Sequence, residues 1–346
     1  MKKLLYWLTA ISSSILLVAC GGGGGGGSSS SSSSSGTSTT YTSSGSVGEV
    51  LNFTVNTTVS PPTYSYTIVK SSYGLTNQTG SGTLTANANG SYIPSGSPNS
   101  IVYPLPNGLL VGGLKLNLAG TQTVVPLLGM SSPVTSLSSL AGTYNYISTA
   151  CNTNANGYPT FPNCATSYGT IKVNTNGTFT QCTTTNITTT PGCSTTAGTV
   201  ANQSSGIWEF VRTGSANKNY LIASTASNGQ IVLAIDFNDA GGYGYGHAIA
   251  STQPTTAFVA GSANGTWFAH ANNNSSGVTV VSGTSFNSVF TTGNNSGTLT
   301  FDNPWSGIVR VVGLTDTGFA ILAGTGVYAY RSNSGGVYYE LGVLRQ

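Results

Sequence analysis

Apolar residues in this chain come in short runs of Val, Ile, Leu, Tyr and Phe, separated by Gly, Asn, Ser and Thr. A helical repeat is nearly absent. That is the pattern of strands and turns. The clearest predicted strands are 50–55, 64–70, 142–148, 169–173, 178–182, 206–212, 220–224 and 230–237. Further on come 266–270, 278–281, 298–301, 307–312, 319–323, 326–331 and 336–344. One helical turn is expected at 133–140, with Ser132 as cap, Pro133 in the first helical position and Gly142 ending it. The fold class that follows is all-β: antiparallel meander repeats forming barrel-like or sandwich domains.

Two internal echoes organise those strands. Residues 82–92 align without gaps on 169–179, each reading as strand, Asn-x-Asn-Gly turn and returning strand, with looser matches between the segments that follow. A third, weaker copy begins at 278–286. Ala141-Gly142-Thr143-Tyr144 is likewise echoed by Asn264-Gly265-Thr266-Trp267. This second motif resembles the opening Gly-x-Trp strand of lipocalin-like barrels, which implies an aromatic plugging one end of a barrel. The chain is therefore divided into an N-terminal β domain at 47–130, a second at 131–255 and a C-terminal one at 256–346.

The segment before residue 47 reads differently. Lys2 and Lys3, an apolar stretch from Leu4 to Val18 and a small residue before Cys20 make up an export leader at 1–20. Its apolar stretch is shorter than a membrane span, and Ser12, Ser13 and Ser14 interrupt it. Leu17-Val18-Ala19-Cys20 resembles the lipobox of bacterial lipoproteins. The resemblance implies that Cys20 takes a diacylglyceryl group and becomes the acylated N-terminus of the mature protein. Gly21, in place of Asp, implies sorting to the outer membrane, with the periplasmic face and the cell surface both open. Residues 21–46 are a glycine run, a serine run and mixed Ser, Thr and Gly: a disordered tether spanning on the order of 30 Å as a random coil. Beyond these segments the chain resembles exported β-rich lipoproteins in general character only.

Composition narrows the partners. Only 5% of residues are charged, and ten Lys and Arg face seven Asp and Glu, with two of the basic residues in the leader. A nearly neutral domain lacks the clustered cations that neutralise phosphate, so nucleic acid is not expected as a partner. Membrane attachment then rests on the acyl chains of Cys20. With Cys20 used, Cys151, Cys164, Cys182 and Cys193 remain, an even set that in an exported chain reads as two disulfides. Pairing Cys151 with Cys164 and Cys182 with Cys193 is preferred, since each pair brackets a short polar loop. The nested arrangement is the alternative. No Cys-x-x-Cys and no nearby His suggest metal, and no cofactor is expected.

Titratable groups are few, and no nucleophile elbow, zinc-protease or phosphate-loop motif is present. His247 follows Asp236 and Asp239 in a Gly-Tyr-rich segment, which allows either acid-base work or a glycine-rich strand with Tyr243, Tyr245 and His247 on one face. Trp208, Trp267, Trp305, Tyr243, Tyr245 and His247 are the candidate ligand-binding residues, because 18 tyrosines and 4 tryptophans offer flat faces with polar handles. The expected function is non-enzymatic binding of a glycan, small ligand or envelope component. Surface display as an adhesin-like structural protein, and a hydrolase using His247 with Asp236 or Asp239, are the alternatives.

Overall fold

A computed structural model describes residues 36–345 apart from 72–73, 98–99, 119–120, 154–158, 240–243, 274, 325 and 334–337. The expected leader at 1–20 with Cys20, and the chain on to residue 35, lie outside the described residues. The rest folds into three closed antiparallel barrels of eight strands, each strand pairing with its neighbours in sequence and the last with the first. Barrel 1 comprises β1 Ser38–Gly45, β2 Glu49–Asn56, β3 Thr63–Ser71, β4 Thr79–Ala86, β5 Tyr92–Pro94, β6 Val102–Pro104, β7 Leu109–Leu118 and β8 Thr121–Met130. Barrel 2 comprises β9 Gly142–Thr153, β10 Pro159–Val173, β11 Thr178–Thr183, β12 Thr196–Ser204, β13 Ile207–Arg212, β14 Asn219–Thr225, β15 Ile231–Asp239 and β16 Gly244–Thr252. Barrel 3 comprises β17 Gly265–Ala271, β18 Ser276–Ser282, β19 Ser285–Phe290, β20 Gly293–Phe301, β21 Ile308–Gly313, β22 Thr317–Ala323, β23 Val327–Ser332 and β24 Tyr339–Leu344.

Alternation along each strand sends one set of side chains into a barrel and the other set outward. The outward set is unusually apolar where barrels meet. Val50, Leu109 and Leu128 of barrel 1, Ile147, Ile222 and Ile249 of barrel 2, and Ile308, Ile321 and Leu341 of barrel 3 join one shared core. The three barrels are thus fused through their outer walls. Barrel 1 is filled by Leu51, Phe53, Ile68, Leu110 and Leu127, and barrel 2 by Tyr144, Tyr146, Phe179, Trp208 and Phe210. Both disulfides belong to barrel 2 and take the preferred pairing, Cys151 with Cys164 and Cys182 with Cys193. The first joins residues directly opposite each other on β9 and β10.

Three expectations are corrected. Residues 38–45, assigned to the tether, form β1, where Tyr41 is buried and the Thr40 and Thr54 hydroxyls hydrogen-bond across the strands at 2.8 Å. Pairing on both sides by β2 and β8 overrides the neutral preference of a Ser/Thr run. The helical turn α1 starts at Leu137, not Pro133, because Ser136 caps it while Pro133 bridges to Ser224 and the Val134 amide donates to Ala223. The echoed hairpins occupy different places, β4–β5 in barrel 1 and β10–β11 in barrel 2, so they repeat a turn rather than a barrel position.

That turn is the same to the hydrogen bond. Asn87 and Asn174 each donate a side-chain amide to the hydroxyl four residues on, and Asn89 and Asn176 each accept from the backbone amide two residues on. Only the glycine has positive φ, +81° at Gly90 and +79° at Gly177. The loop is therefore a type I turn closed by a left-handed glycine.

Candidate functional site

Barrel 3 departs from the other two inside. Its fully buried interior core is small, Ala263, Trp267, Val281 and Phe286, and much of the remaining interior is a cavity of about 450 Å³. Eight strands make a barrel just wide enough either to be filled or to hold one small molecule. Barrel 3 takes the second course because many inward positions are small: Ala320, Ser288 and Thr279 line the cavity, and Ala269 and Gly342 oppose each other on β17 and β24.

One end is closed by Trp267, whose indole donates to the Ala263 carbonyl at 2.9 Å. Tyr144 at the start of barrel 2 does the same to Leu140, four residues back, at 2.5 Å. The Gly-Thr-aromatic echo is thus a strand-opening device in which the aromatic turns inward and ties down the segment before it. At the other end the exposed Thr292, Gly293 and Asn294 edge the cavity.

The polar part is built on β22, β23 and β24. Tyr328 and Tyr330 are two apart on β23 and face inward together. Each lies over a glycine: a methyl on Gly342 would fall 2.1 Å from the Tyr328 ring, and one on Gly318 would fall 2.6 Å from the Tyr330 ring. These glycines let the phenols lie flat across the wall and reach two carboxyls. Tyr328 donates to Glu340 Oε1, and Tyr338 donates to Oε2 at 3.0 Å. Tyr330 donates to Asp316 Oδ2 at 2.7 Å and Ser332 to Oδ1 at 2.8 Å. Burial pushes Glu340 up to about 8, so its carboxyl holds a proton at neutral pH. Burial likewise raises the phenols of Tyr330 and Tyr338, which stay protonated donors. Val309, Val311, Leu299 and Leu322 supply the apolar wall.

Barrel 2 has an opening of another kind. Between its filled core and the disulfide end lies a cavity of about 550 Å³, lined by Ser148, Ser167, Gln181, Thr183 and Arg212 with few apolar groups. Arg212 lies over the Phe237 ring, 5.4 Å from its centre.

The residues singled out from sequence separate widely. Trp267 lines the barrel 3 cavity. Trp208 is instead core in barrel 2, donating to the Val134 carbonyl at 2.9 Å and so holding the segment before α1. Trp305 sits between barrels 2 and 3, donating to Asn145 and stacked on Tyr168. Tyr245 is half-buried on β16, and Tyr243 and the Asp239 side chain lie outside what is described.

His247 is wholly buried where the three barrels meet. It stands opposite Asp236 in the β15–β16 register, with the Tyr339 ring edge-on at 5.1 Å. Burial lowers its imidazole to about 3, a backbone hydrogen bond to Ser44 opposing this, and burial raises Asp236 well above the carboxylate range. Glu49 is raised to about 9 by burial and by the Asp236 charge, against a 3.0 Å hydrogen bond from Ser71. Burial thus favours the neutral forms of His247, Asp236 and Glu49 at the junction. His247 lines neither cavity described above. His270 packs on Gly113 of barrel 1, also between barrels.

Sequence reasoning missed Glu340, Asp316, Tyr328, Tyr330 and Tyr338. The signal was the alternation of Tyr328 with Tyr330, but their carboxyl partners depend on register between strands. Among the described residues no group of His, Cys, Asp and Glu is arranged to hold a metal. Set against known proteins, the chain matches no protein family, no curated sequence and no solved structure.

Proposed function

We propose that this is an exported, lipid-anchored binding protein that acts without catalysing a reaction, in which barrel 3 holds a small and largely apolar ligand while barrels 1 and 2 form its rigid support. The hollow interior of barrel 3 carries the proposal. Its volume falls in the range of sites for small organic ligands, roughly 300–1,000 Å³, and it combines an apolar wall with a few converging polar groups. The lipobox resemblance and the Gly/Ser segment support attachment at Cys20 to the outer membrane. Cys20→Ala is expected to move the protein from the membrane fraction to the soluble one, and retention with lipid would count against the anchor.

Saturable uptake of Nile red, a neutral apolar dye, tests the binding reading. One dye should bind per chain and quench tryptophan emission. Trp267→Phe should remove most of that quenching, whereas Trp208→Phe should leave it. Absence of saturable uptake would overturn the reading.

A further inference from the structure

Accepting that barrel 3 binds a ligand, we infer that the ligand is an organic cation: a protonated amine carried on an apolar body. The first argument is charge. Asp316 and Glu340 line the cavity, and among the described residues that line it none is Lys, Arg or His. Arg331 follows Tyr330 on β23 but turns outward, over the Tyr168 ring of barrel 2. An apolar acid such as a fatty acid would bring its carboxylate beside Asp316 and Glu340 with no cation among the described lining residues to meet it.

Hydrogen-bond supply gives the second argument. Tyr328, Tyr330, Tyr338 and Ser332 have each spent their single O–H on a carboxyl oxygen. Glu340 Oε1 and Oε2 accept from Tyr328 and Tyr338, and Asp316 Oδ2 and Oδ1 accept from Tyr330 and Ser332. With those four hydroxyls turned to the carboxyls, the oxygens of Glu340 and Asp316 are better met by a ligand that donates, as an ammonium does, than by a carboxylate, which only accepts.

The third is aromatic. Trp267 and Tyr328 meet edge to face at 5.3 Å, and Tyr330 and Tyr338 at 6.2 Å, so aromatic surfaces stand around the carboxyls. Such faces attract cations. The groups facing Glu340 are Tyr328 and Tyr330 from β23, Tyr338 beside it and Asp316 from the β21–β22 turn, while His270 of the adjacent β17 points out toward barrel 1. Glu340 holds a proton when the cavity is empty. An arriving ammonium takes the place of that proton as the partner of the carboxylate, and one proton leaves to solvent for each cation bound.

The test compares phenylpropylamine, phenylpropanol and phenylpropanoate, which share one apolar body, by calorimetric titration of the whole chain. The amine should bind at least about tenfold more tightly than the alcohol, and the acid most weakly. Glu340→Gln should cost the amine about tenfold or more, leave the alcohol within about threefold and abolish proton release, read as loss of the dependence of heat on buffer ionisation. If Glu340→Gln does not fold, Asp316→Asn should narrow the amine's advantage over the alcohol in the same direction. Equal affinity for amine and alcohol, or an amine affinity untouched by the carboxyl variants, would overturn the cation assignment while leaving barrel 3 a binding site. Failure of all three probes to bind would overturn the binding reading itself.

Discussion

Barrels 2 and 3 share a topology and an opening motif, yet barrel 2 is packed with aromatics and opens only into a polar cavity near its disulfide end, whereas barrel 3 holds a largely apolar cavity. From the shared aromatic, barrel 2 continues inward with Tyr146, and barrel 3 with Ala269 two residues on. Phe179 and Phe210 stack at 3.8 Å across the middle of barrel 2, where barrel 3 presents Ala320, Ser288 and Thr279. Barrel 2 is also stoppered by the segment leading into α1, with Leu140 buried against its core. The backbone thus sets the width of the tube, and side-chain volume at a handful of inward positions decides between core and cavity.

The comparison is broken most severely by emptying the filled barrel. Trp208→Ala should cost about 3–5 kcal/mol, since it opens a hole in a close-packed core and strips the Val134 carbonyl of its donor. Leu322→Ala, on the wall of the existing cavity, should cost less than about 2 kcal/mol. Denaturant unfolding of the two variants measures both, and equal losses would mean that barrel 3 is as tightly packed as barrel 2.

Next in size is a pH effect from groups that neither barrel fills with solvent. Glu49 and Glu340 ionise near 4.5 when the chain is unfolded but hold their protons to about 9 and about 8 when folded. Between those limits the folded chain binds more protons, so stability falls as pH rises. His247 acts oppositely, being depressed from 6.5 to about 3, and costs stability as pH drops through that window. From pH 6.5 to 8 only the carboxyls act, and stability should fall by about 1.4 kcal/mol per pH unit for each retained proton. Thermal melts of Glu49→Gln should show a shallower fall, and a flat wild-type profile would contradict the buried carboxyls.

The smallest effect on stability comes from making barrel 3 more like barrel 2. Ala320→Phe points a ring into the cavity and should change unfolding free energy by no more than about 1 kcal/mol, because space is already there. Nile red affinity should nonetheless drop at least tenfold. Undiminished uptake would place the ligand elsewhere.

Much of this was legible in the chain. Short apolar runs in 230–237 and 319–323 marked β15 and β22 nearly to their ends, and the Asn-x-Asn-Gly turns at 87–90 and 174–177 specify their own hydrogen bonds. Cys151 and Cys164 could be matched because each brackets a short loop. By contrast, β1 was read as tether, since Ser and Thr say little about strand or coil until β2 and β8 flank them. Trp208, Trp267 and Trp305 look alike as letters but sit in a core, a cavity and an interface between barrels.

The sequence by itself determined what local rules control: an all-β chain, its hairpins, its strand-opening aromatics and its disulfide spacing. Tertiary structure alone decided closure into barrels, fusion through apolar outer walls, and the meeting of Tyr328 and Tyr338 with Glu340. Those outcomes depend on register and on volumes summed over eight strands. A shift of one residue would turn every inward side chain outward, and no single strand carries that information.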